Sequence, residues 1–328
     1  MKRREFITLL GGATAWPLAA RAQRSTRLRL IGVLMPLPGS DREGQRRIAA
    51  LAEGLQKMGW SEGHNIAFEV RYAEGRPERL TTLAKELVDA NVDLIITQAA
   101  QPVEAARKAT DTIPIVMAAH GDALGSGVIA SLGRPGGNVT GQTLVATEQA
   151  SKRLDLIKKM YPRLLRAAIL WNGNAAGHRL QMEAMEAASP VLGITLQSRP
   201  IHNSTEIDAA LQAATDAKAQ VIVTMDDPMI QSNRTRIVAY AMQQRLPVVG
   251  EFRPFAEAGA LMSYAPDQIE LWRSAAVYID KILRGAKPGD LPVAQPTKFE
   301  LLINMRTAKA IGFEVPASVL AIADEVIE

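Results

Sequence analysis

The stretch at 93–119, DLIITQAAQPVEAARKATDTIPIVMAA, constrains the fold more than any other part of the chain. Two apolar runs, at 93–98 and 113–119, flank a polar, alanine-rich segment of helical composition. Runs this short, rich in Ile and Val and without polar alternation, suit strands covered on both faces of a parallel sheet. The segment between them is the helical crossover that parallel neighbours need.

The same grammar extends in both directions. A buried strand is expected at 28–35 and a helix at 43–58, where Ile48, Leu51, Leu55 and Met58 share one face and Gly59 ends it. A strand at 65–72, whose alternation fits a sheet edge, precedes a helix at 77–90 with Pro77 in its first turn. The turn-rich RPGGNVTG at 134–141 leads into a short strand at 142–145. A second series follows, with strands at 167–171, 194–199, 221–225, 247–250 and 260–264 and helices at 148–160, 176–192, 205–217 and 228–244. QVIVTMDDPMIQ at 220–231 repeats the logic of DLIITQAAQPVE at 93–104. An apolar helix is expected at 267–285, and LPVAQPTKFELLIN reads as a strand pair returning to the first sheet.

A chain of 328 residues that is 47% hydrophobic exceeds the usual size of one core. The expected architecture is therefore α/β, with two Rossmann-like lobes of parallel sheet joined by a hinge. The first lobe takes 28–143 and about 266–328, the second takes 144–265, and the hinge lies near 141–145. The formal charge is +4, of which +3 sits on Lys2, Arg3, Arg4, Glu5 and Arg21, so the rest is near neutral and advertises no nucleic-acid face.

Residues 1–22 read as an export signal: a basic start, an apolar stretch from Phe6, and Ala20 and Ala22 framing a cleavage site. The adjacent Arg3 and Arg4 are similar to a twin-arginine signal. No run reaches the roughly 20 apolar residues of a membrane span. With no cysteine there is no disulfide, no thiol ligand and no lipoprotein anchor, so the expected location is the periplasm.

Ligands of open α/β sheets bind beyond the carboxyl ends of the strands. That rule selects Pro38, Gly39 and Ser40 after the first strand, Gln98, Ala99 and Ala100 after the third, and Ala119 and His120 after the fourth. From the second lobe it selects Asn172, Asp226, Phe252 and Tyr264, with Asp227 and Glu251 beside them. Exposed amides and helix starts suit a carboxylate. An acidic partner such as Asp226 suits an amine, so a zwitterion is the natural ligand. Asp227 reads as the cap of the helix opening at Pro228.

Catalysis is not expected. His120, Asp122 and Ser126 form a superficial hydrolase trio, but Ser126 lies between adjacent glycines, whereas a nucleophile elbow needs them two residues away. The loop after the first strand lacks G-x-G-x-x-G, and there is no P-loop. The four histidines are scattered, with His178 and His202 expected on solvated surfaces, so no cofactor or metal is expected.

The signal, the block IPIVMAAHGDALGSGVIASLGRPGGNVTG at 113–141 and the tail at 299–328, with Leu302, Asn304, Ala308, Gly312 and Pro316, together resemble the solute-binding components of ABC importers. Within them the chain is similar to the group related to tryptophan and other aromatic amino-acid binding proteins. The resemblance implies a type I periplasmic-binding-protein fold with three crossings between lobes. It also implies an inner-membrane permease and a separate cytoplasmic ATPase as partners. A sensory subunit for a membrane kinase would use the same fold, and an enzyme on a related scaffold is the third reading.

Overall fold

A computed structural model describes residues 28–328; the expected signal at 1–22 lies outside them. The first sheet contains β1 (Arg29–Met35), β2 (Ile66–Tyr72), β3 (Leu94–Gln98), β4 (Ile115–His120) and β5 (Val139–Thr143), in the order β2-β1-β3-β4-β5. The second contains β6 (Arg166–Asn172), β7 (Thr195–Ile201), β8 (Val221–Thr224), β9 (Val248–Gly250), β10 (Met262–Ala265), β11 (Glu300–Asn304) and β12 (Glu325–Ile327). Its order is β12-β11-β10-β9-β8-β6-β7. The run β7-β6-β8-β9-β10 has the connectivity of the first sheet, so the repeated grammar is a repeated topology.

The strands form because their side chains are enclosed by helices on both faces. β3 and β4 are buried at every position. On one face of the first sheet Ile31, Val33 and Ile96 meet Trp272 and Ile279, and on the other Leu34, Ile95 and Met117 meet Leu83 and Val103. β2, expected at an edge, is at the edge and only partly buried.

Two local expectations change. β5 begins at Val139, inside the stretch read as a turn, because its residues are all buried and pair parallel with β4. Gly141 permits this approach: its φ is +127°, and a Cβ there would fall on the Met117 backbone. Gly141→Ala is expected to lower stability by about 1–3 kcal/mol, measurable by denaturant unfolding. The helix expected at 228–244 is two helices, Pro228–Ser232 and Arg234–Gln243, broken where Asn233 turns its amide back to the Met229 carbonyl at 2.9 Å.

The largest correction concerns the tail. The helix Gln268–Leu283 returns to the first lobe, where Trp272, Ala275 and Ile279 are buried in its core. The strand after it does not. Ala294 bridges to Gln142 of the first sheet, and then β11 pairs antiparallel with β10, with β12 beside it. The second lobe therefore owns residues 300–328, which had been expected in the first. Leu301 and Ile303 explain the choice: both enter the second-lobe core and cover what would be an open edge at β10. The chain crosses between lobes after β5, after β10 and before β11.

Candidate functional site

The carboxyl ends of β3, β4, β6, β8 and β9 converge on one cavity of about 50 Å³ between the lobes. It has room for only a few waters. A wider groove of about 480 Å³ shares Ala100, Gln101, His120, Ser126, Ala175 and Gly177 with it and opens outward.

The first-lobe wall starts at Ala99, which has φ 65° and ψ 164°. That region is nearly exclusive to glycine and costs an alanine about 1–3 kcal/mol. The kink begins the helix Ala100–Ala109, and Ala99, Ala100 and Gln101 line the cavity. From the second lobe the helices Ala146–Met160 and Ala176–Leu192 also start at the cavity, contributing Ala146 and Thr147, and Ala175 and Gly177. First-turn amides have no partner within their own helix, so three helix starts give the cavity a positive rim.

His120, at the end of β4, completes the first-lobe wall. Its Nδ1 accepts the Asp122 amide at 3.1 Å, and burial pulls its pKa down to about 4, so the ring is neutral with its proton on Nε2. The Ser126 hydroxyl donates to the Asp122 carbonyl, so the apparent trio is a self-bonded turn.

The opposite wall is acidic. Asp226, Asp227 and Glu251 line it. Burial, then the neighbouring Glu251 carboxylate, push the Asp226 carboxyl up to about 7. Asp226 accepts from Gln231, and its carbonyl accepts from His178 Nε2 at 2.9 Å. Asp227 caps the helix Pro228–Ser232 through the Met229 amide, as expected, and its other oxygen takes the Asn172 amide at 2.8 Å. Below, the fully buried Arg153 sits 3.0 Å from Glu251 Oε2. Arg47 enters from the first lobe, donating to Gln231 at 3.1 Å and to Gln268.

Of the candidates read from the sequence, Ala99, Ala100, His120 and Asp226 line the cavity. The loop holding Pro38, Gly39 and Ser40 turns away: Gly39 lies on Tyr72 and donates to Glu74, while the Pro38 carbonyl receives the Asp41 amide. Gln98 is spent on the Trp272 indole. Asn172 holds Asp227 and Asn174 rather than facing the space. Ala119 and Phe252 lie outside the lining, in a buried apolar cluster with Leu144, Ala265 and Leu271. Tyr264 stacks on Phe299 at 5.7 Å. His178, expected in solvent, is buried and lines the cavity; His202 is exposed, as expected.

The sequence rule missed Gln101, Thr147, Gly177 and Gln181. All belong to the first or second turn of a helix that follows a strand, so extending the rule by one or two turns would have found them. Among the described residues no aromatic side chain lines the cavity or the groove, and no cluster of acidic, His or Cys side chains is arranged for a metal.

Across the rim the lobes are clasped. Arg234 of the second lobe forks onto Asp41 of the first, at 2.7 and 3.1 Å. Two lobes of like topology, three crossings and a polar cavity closed by interlobe ion pairs define a ligand-capturing receptor of the type I periplasmic-binding-protein fold. The chain belongs to the ABC transporter substrate binding protein family, whose model matches residues 31–327. A conserved domain protein from Vibrio cholerae has a similar structure, with 28% identity, a TM-score of 0.86, and 92% of this chain and 100% of that chain covered. An ABC domain from Streptococcus pneumoniae, solved in complex with L-Trp, is 27% identical with a TM-score of 0.84 over 92% of this chain and 100% of that one. A tyrosine-binding protein of Clostridioides difficile is 25% identical over 262 residues, 80% of this chain and 75% of the relative.

Proposed function

We propose that this protein captures an amino acid or closely related zwitterion outside the cytoplasm and presents it to the inner-membrane permease of an ABC importer with a separate ATPase. The observation that carries the reading is the division of the cavity: the carboxylates Asp226 and Glu251 on the second-lobe wall, the start of the helix Ala100–Ala109 on the first-lobe wall. The ligand's ammonium group would meet Asp226 and Glu251, and its carboxylate the first-turn amides of Ala100 and Gln101. Relatives that bind tyrosine and L-Trp support the ligand class. The basic, apolar segment at 1–22 supports export to the periplasm. Among the described residues no helix is long and apolar enough to cross a membrane.

Capture works by closure. The present cavity has room for only a few waters, so the lobes part to admit a ligand and close again around it. A ligand touching both walls favours the closed state, because only there are both of its ends satisfied. Titration calorimetry with the proteinogenic amino acids tests this: submicromolar to micromolar binding of one or a few is expected, and no binding of any would sink the reading.

Binding should also release a proton. Asp226 faces Glu251 and Asp227 from its own lobe and Arg47 from the other, and it keeps its proton below about pH 7. An ammonium group needs the carboxylate, so affinity is expected to rise up to tenfold per unit from pH 5 to 7 and then level off. Flat affinity over that range would contradict the assignment of Asp226.

A further inference from the structure

Resting on the receptor reading, we propose that His120 and Gln101 read a hydroxyl group on the ligand. His120 is 2% exposed, and its Nε2 has no partner. Because Nδ1 is occupied as an acceptor by the Asp122 amide, Nε2 carries the proton and is a pure donor. Gln101 Oε1 is likewise buried without a partner, and it is a pure acceptor. Both residues line the cavity and the adjoining groove, so both meet whatever part of the ligand leaves the charged end of the site.

A buried donor and a buried acceptor lining one cavity, each unsatisfied, are costly unless something joins them. A carboxylate would satisfy His120 and repel Gln101; an ammonium group would do the reverse. A hydroxyl accepts from the first and donates to the second through one oxygen. The charged ends of the zwitterion are already provided for by Asp226 and the helix starts, which leaves the side chain to carry this group. Ala99, Ala175 and Leu144 supply the apolar part of the lining, and Gln181 Oε1 is a further buried acceptor without a partner, so a hydroxyl held by His120 has acceptors but, among the described residues of the lining, no second unpaired donor to meet.

Sites built to hydrogen-bond a hydroxyl reject the analogue that lacks it. The test measures dissociation constants by calorimetry for pairs differing by one hydroxyl: L-tyrosine and L-phenylalanine, L-serine and L-alanine, L-homoserine and L-2-aminobutyrate. In at least one pair the hydroxylated member should bind at least about tenfold more tightly. Gln101→Met, at a partly exposed position that the fold tolerates, and His120→Phe should each bring that ratio to within about threefold of one. Equal affinity within every pair would overturn the proposal, as would a ratio unmoved by Gln101→Met. So would a preference for L-asparagine over L-leucine with no hydroxyl preference. If no amino acid binds at all, the receptor reading beneath it falls too.

Discussion

Asp226→Asn is expected to lose at least about tenfold in amino-acid affinity while folding as well as the parent, or better, at pH 8. The two effects have one origin. The carboxyl has its pKa raised from an ordinary 3.8 to about 7, first by burial and then by the Glu251 carboxylate. A raised acid pKa means that the folded state disfavours the charge, a penalty absent below pH 3.8 and complete above pH 7. Asparagine removes the charge and keeps the shape, including an oxygen for the Gln231 amide. The ligand's ammonium group then loses its counter-ion in a buried site, which accounts for the affinity. Calorimetric binding beside thermal unfolding at pH 8 separates the two. Equal affinity in parent and variant would remove Asp226 from the site.

Glu251→Ala is expected to be the most destabilising change at the cavity, by about 3–5 kcal/mol. Arg153 is fully enclosed, and Glu251 is its only salt-bridge partner among the described residues. Removing the acid leaves a buried guanidinium with nothing to balance it. Glu251 also accepts the Asp226 amide at 2.9 Å, so the loop that carries Asp226 should loosen as well. Denaturant unfolding measures the loss. A double variant with Arg153→Met should recover most of it, because the stranded charge is then gone. A single variant within about 1 kcal/mol of the parent would show that the pair does not have this role.

Most of the fold could be read from the chain because its strands are short, apolar and doubly covered, a pattern that local sequence displays directly. Ile95, Ile96 and Val116 announce their burial, and so do Ile222 and Val223. The tail was misread because nothing in Leu301, Leu302 and Ile303 says which sheet they finish. Their destination is set by the open edge of β10, which becomes visible only once the second sheet exists. The site was half legible for a similar reason. Strand ends located Ala99, His120 and Asp226, since the fold places such residues at the cleft whatever their chemistry. Gln98 and Tyr264 occupy equivalent positions, yet distant partners, Trp272 and Phe299, claim them. The loop at Pro38–Ser40 is turned aside by Asp41, which caps the next helix and receives Arg234 from the other lobe. Contacts between residues that far apart leave no local pattern. Arg47, Arg153 and Gln181 were invisible because charged and amide side chains on helices ordinarily face water, and only the packed lobes reveal that these do not.

The proposed function places an amino acid in the cleft between Asp226 and the first-lobe helix start at Ala100. Native mass spectrometry of the exported protein, freshly purified without denaturation, tests it most directly. The account predicts a species heavier by the mass of one amino acid, restored by adding that amino acid after dialysis and absent from Asp226→Asn. An adduct of another chemical class, or one retained undiminished by the variant, would contradict it.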